Sequence, residues 1–145
     1  IATDWCVRRF GLRYGRVIPI SLSCLIASGA YLSCLWLRSP WAIVACCGVV
    51  SLMTDLGNPS IWAFMQDIGR RNTGAVYGWA NMWGNIGAAV APPIYNAVLG
   101  ETPTVGDWNV MFIVCGVAFV LSGLCGLVLD ATKPITFEGT DAAKR

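Results

Sequence analysis

The sequence predicts an all-α membrane protein with four transmembrane helices, on three observations. Apolar residues make up 56% of the 145-residue chain, charged residues only 12%, and the mean hydropathy is +0.61, far from the balance of a soluble domain. The charges are segregated: 17–37, 72–100 with its Arg71 boundary, and 108–129 carry none, and 39–66 carries only Asp55. Each run is long enough to cross roughly 30 Å of hydrocarbon at about 1.5 Å per residue. Finally, the basic residues gather on alternate connections, as the loops of a multi-pass protein do.

Taken in order, Asp4 to Arg16 reads as a polar loop holding Arg8, Arg9, Arg13 and Arg16. The first span is expected over 17–37, with Pro19 tolerated in its first turn and serines that bond back to their own backbone. Ser39-Pro40 reads as an N-cap followed by proline at the first helical position, opening a second span over 41–66. DIGRRNT, 67–73, is a tight basic turn, and a third span follows over 74–99, which Pro92-Pro93 should break or bend near its end. A fourth span is expected over 108–129, capped by Asp107, and 130–145 forms a polar tail.

Nine of the ten Lys and Arg residues lie in the first loop, the 67–73 turn and the tail, so the positive-inside rule puts both ends in the cytoplasm. The expected location is an inner or plasma membrane, crossed several times. The chain opens IATDW without an initiator Met and reads as the carboxy-terminal piece of something longer.

Polarity at bilayer depth marks the second and third spans. A carboxylate such as Asp55 costs at least about 2.5 kcal/mol there, so it should face a cavity or a partner. Ser51, Asp55, Asn58, Trp62 and Gln66 recur at helical spacing and share one stripe. Pro59 withholds a backbone donor inside that stripe, an arrangement suited to a transporter site. In the third span Gly74, Gly78, Asn81, Asn85 and Ala88 share a face. The glycines there suit close helix packing, whereas the two amides need partners, either on a neighbouring helix or on a ligand. The first and fourth spans are bland, with Gly116, Gly123 and Gly126 in the fourth.

Several classes are excluded or disfavoured. Net charge is +2, too small to suggest nucleic acid. There is no histidine, no CxxC and hence no expected zinc site, and six of the seven cysteines sit inside apolar runs as packing residues. P-loop, GxSxG, HExxH and paired-carboxylate patterns are missing, so neither an ATPase engine nor another enzyme is expected.

The residues also carry a family likeness. A basic loop with RRFGLRYGR, a bland span, a span with an internal Asn-Pro and WAFMQDIG, and then GWANMWGNIG leading to prolines resemble helices nine to twelve of a major facilitator superfamily transporter. The NMWGN segment is most similar to the anion:cation symporter branch. The resemblance implies secondary active transport of a small organic solute, such as a sugar acid or other organic anion, by alternating access. It implies symport with a proton or sodium ion and no bound cofactor. Asn81 and Asn85 match the asparagines of the motif, with Asn81 the better substrate contact. Asp4, Arg8 and Arg9 resemble a cytoplasmic gating motif. Asp55, Asn58, Trp62 and Gln66 complete the expected substrate wall from the stripe alone. The partners implied are a small-molecule solute, the lipid bilayer and the missing amino-terminal half of the same chain. Two rival readings remain: a small four-helix exporter working as a dimer, and a non-transporting membrane scaffold.

Overall fold

A computed structural model describes residues 2–135, with side chains from Trp5 onward. Its order is α1 (Ala2–Ser33), α2 (Pro40–Gly69), a 3-10 turn (Arg70–Asn72), α3 (Thr73–Leu99) and α4 (Val105–Val128). No strand occurs among the described residues. The segments Trp5–Ser33, Pro40–Leu99 and Val105–Val128 are long and apolar enough to cross a membrane. The middle one, at 60 residues, is about three times the roughly 20 residues a bilayer needs, and the chain divides it at Arg70, where φ is 45°. A positive φ on a residue with a Cβ is costly, and here it turns α2 into α3.

Of the polar loop expected over 1–16, residues 2–16 are helical instead, on either side of a break. The helix breaks at Gly11, where φ 81° and ψ 169° suit only glycine. The segment before it folds back so closely that a Cβ on Gly15 would overlap the Val7 backbone. At its other end α1 stops at Ser33, short of the expected 37, and a run of 3-10-type bonds carries the chain through Leu37.

The bland first helix holds the bundle together. It packs along both α2 and α4, while α3 touches its neighbours lightly and buries no residue. Small residues make these approaches possible. A Cβ on Gly57 would stand 2.6 Å from Ser23 Oγ, and one on Gly116 would stand 2.8 Å from Leu32 Cδ2. Gly123 and Gly126 lie against Cys24 and Ser21 in the same α1–α4 seam. Ser23 bonds back to the Ile20 carbonyl at 2.9 Å, whereas Ser28 reaches across to the Gly116 carbonyl at 2.8 Å. Tyr31 and Phe119 add a tilted ring contact with centroids 5.8 Å apart.

Three local expectations need correction. Thr104, not Asp107, caps α4: its hydroxyl accepts from the Asp107 N–H while the Asp107 carboxylate accepts from the Thr104 N–H, a reciprocal capping box. Helix α3 runs through Pro92-Pro93 to Leu99, since two prolines near a helix end remove donors without stopping the chain. Around Gly74, Gly78, Gly84 and Gly87 an added Cβ would meet open space, so within the described residues these glycines pack against nothing. All seven cysteines are free thiols.

Candidate functional site

Helix α2 has two unlike faces. Val50, Gly57 and Ser60 are buried, and Gly57 meets α1. Ser51, Asp55, Asn58, Trp62 and Gln66 lie on the opposite side of the helix at 100° per residue. Packing on α1 therefore turns the polar stripe away from the bundle core. Asp55 falls at the midpoint of α2, and Pro59 four residues later leaves the Asp55 carbonyl without its helical donor.

Helix α3 returns alongside this stripe. The Tyr77 hydroxyl donates to the Trp62 carbonyl at 3.1 Å, joining the two helices one turn beyond the start of α3. Because the hairpin is antiparallel, moving away from that bond leads to Asn58 one turn on in α2 and to Asn81 one turn on in α3. A further turn leads to Asp55 and to Asn85. The two amides of α3 thus lie within about one turn of the heights of Asn58 and Asp55, on the same broad face as Tyr77.

These side chains are open. Asp55, Gln66, Asn81 and Asn85 are exposed and Asn58 is half-buried, and none of the five has a hydrogen-bond partner among the described residues. Trp62 is 58% exposed. Among the described residues no hydrogen bond joins these side chains across the two helices. Chemically, the two stripes offer four amides, a carboxylate and the freed Asp55 carbonyl, and no Lys, Arg or His lies between 41 and 69 or between 74 and 99. Their groups can donate to and accept from hydroxyls. They supply no positive charge. No cluster of three or more His, Cys, Asp or Glu residues that could hold a metal occurs among the described residues.

At the basic end of the bundle the expected gating residues and the observed contacts differ. The Asp4 side chain lies outside the described residues, and Arg8 and Arg9 are exposed on the segment before the Gly11 break. The ion pair found there joins Arg16 Nε to Asp67 Oδ2 at 2.8 Å. The chain after α4 closes on the same place, the Ile135 N–H donating to the Ile68 carbonyl at 2.9 Å. Asp130 accepts from the Thr132 hydroxyl and N–H, at 2.6 and 3.0 Å. Those bonds, the hydroxyl's first, hold its carboxyl below the usual range, with Arg13 and Lys133 adding to the effect.

Sequence reasoning missed Tyr77, Arg16 and Asp67. Tyr77 lies one turn before Asn81 on its stripe, and a phenol in an apolar helix needs a hydrogen-bond partner, which was the available signal. Asp67 is the lone acid of a basic turn, so a pairing with an arginine of the first loop was also readable.

No known family profile matches the chain, and no solved structure matches it. A curated protein does: the probable galactarate/D-glucarate transporter GudP of Escherichia coli (strain K12) is 30% identical over 131 residues, or 89% of this chain. The likeness supports a fragment of a major facilitator superfamily transporter. The chain is an all-α membrane protein, which accounts for the large apolar side chains exposed along every helix. The chain spans 28% of the length of this relative.

Proposed function

We propose that the chain forms helices nine to twelve of a secondary active transporter of the anion:cation symporter branch. It moves a sugar acid or similar organic anion by alternating access, and it is not an enzyme. The protein sits in the inner or plasma membrane with the Arg16 end of the bundle cytoplasmic, and a proton or sodium ion is the coupled species. The likeness to GudP supports the substrate class. The observation that carries the assignment of a site is the similar height of Asn58 and Asn81, set by the bond from Tyr77 to Trp62.

Charge refines the reading. A carboxylate of the solute placed about 6 Å from Asp55 is repelled by roughly 3 kcal/mol at an effective dielectric of about 20. With no cation in either helix to offset this, the α2–α3 cleft contacts the hydroxyl-bearing middle of the solute. Asn58, Asn81 and Asn85 supply paired donors and acceptors there, with Trp62 and Gln66 as wall residues. The carboxylate ends bind groups outside this chain.

Uptake of galactarate by the full-length protein in proteoliposomes tests the proposal. Asn81→Ala should raise KM roughly tenfold, the loss of one or two hydrogen bonds of about 1 kcal/mol each, with the amount of folded protein unchanged. Unchanged KM and rate would remove Asn81 from the site. Absence of uptake by the parent protein would return the exporter or scaffold reading.

A further inference from the structure

We propose that Tyr77 is a positioning residue that holds Asn81 at its place in the cleft, an inference that rests on the transporter reading given above. Near its start, helix α3 has little else to fix its rotation. It buries no residue, and its four glycines face open space. At its start Gly69 of α2 lies close, where a Cβ would stand 3.2 Å from both Thr73 and Val76. That contact locates the turn but bears on the first α3 residues alone. Four residues into the helix, the Tyr77 hydroxyl reaches the Trp62 carbonyl at 3.1 Å, which is the side-chain hydrogen bond joining α3 to α2 among the described residues.

Its location gives the bond leverage. Trp62 lies three residues after Pro59, on the part of α2 that is also tied to α1 through Asp67 and to the segment after α4 through Ile68. Tyr77 therefore anchors α3 to the best-secured stretch of α2. Asn81 follows one turn later on the same side of α3, so any rotation of α3 about its axis that breaks the phenol bond also swings Asn81 away from its place. A reacting or binding group misplaced by about 1 Å can lose roughly 100-fold in effect. Near the opposite end of α3, Tyr95 sits beside Cys115 of α4 and lies a whole number of turns from Tyr77. The amides are thus held between two tyrosines on one face.

The test is Tyr77→Phe in the full-length transporter, which keeps the ring and removes only the donor. Two readouts separate positioning from packing. In the absence of any solute, amide hydrogen exchange over 78–88 should rise several-fold, while exchange over the α1–α4 seam stays unchanged. In transport, Tyr77→Phe should raise KM for galactarate about tenfold with little change in kcat, and should have no further effect when Asn81 is already Ala. Equal exchange in the two proteins, or effects of Tyr77→Phe and Asn81→Ala that multiply in the double variant, would overturn the proposal. Faster exchange with an unaltered KM would overturn the substrate role of Asn81 itself. If Tyr77→Phe fails to fold, Tyr77→4-aminophenylalanine, which puts an N–H donor where the hydroxyl stands, should restore both the protein and its KM; failure to do so would count against the bond.

Discussion

Arg16 on α1 and Asp67 on α2 meet at 2.8 Å, with side chains only 11% and 25% exposed, and so join the two longest helices at the basic end of the bundle. The pair is partly desolvated, which makes it worth more than a surface ion pair. One residue on, the Ile68 carbonyl takes the Ile135 N–H, so the end of α2 is bound both to α1 just after its Gly11 break and to the chain leaving α4.

Asp67→Asn keeps the shape of the side chain and removes its charge. It should cost about 1–2 kcal/mol, the usual scale for a part-exposed charged hydrogen bond. Chemical denaturation in detergent measures it. Arg16→Ala is the less informative partner, since Arg16 makes further interactions.

The glycines divide into two groups that substitution should separate. Gly116→Val places atoms where Leu32 already stands, 2.8 Å from the nearest added carbon, and should cost about 1–3 kcal/mol through overpacking. Gly84→Ala meets nothing within 4 Å and should be neutral, or stabilise this chain by up to about 1 kcal/mol through helix propensity. Thermal unfolding of the two variants side by side decides the contrast.

Asp130 predicts an acid-sensitive end. Its folded-state pKa is lowered by the Thr132 hydroxyl and N–H. A lowered carboxyl contributes stability that is fully present above its unfolded value of about 3.9 and is lost as pH falls through the folded value. Proteolysis of the segment after α4 should therefore accelerate below about pH 4. Asp130→Asn should show the faster rate already at neutral pH. Among the described residues its bonds reach only Thr132 and Lys133, so the effect is local rather than global.

Much of this architecture was readable from residues because charge segregation is enforced by the bilayer itself. Arg38 and the RRN turn mark where apolar runs stop, and the helices follow. The Gly116, Gly123 and Gly126 seam was readable as small-residue packing, although not that Leu32, Cys24 and Ser21 would fill it. What failed was local. Asp107 and Thr104 both suit an N-cap, and only their reciprocal bonds distinguish cap from third helical residue. The helical form of the opening arginine-rich segment depended on Gly11 folding it back against Gly15, a tertiary contact without a sequence period. The amides and Asp55 stood out in the sequence, but their relative heights did not, because those rest on one phenol–carbonyl bond.

The central claim is that the cleft between α2 and α3 reads hydroxyls and not carboxylates. Competition for galactarate uptake by the hydroxyl-free six-carbon diacid adipate, in the parent protein and in Asn58→Ala and Asn81→Ala, tests it directly. The parent should prefer galactarate by at least about tenfold, roughly one lost hydrogen-bonded contact, and both variants should lose most of that preference while binding adipate as the parent does. Equal weakening of galactarate and adipate by the two substitutions would contradict it.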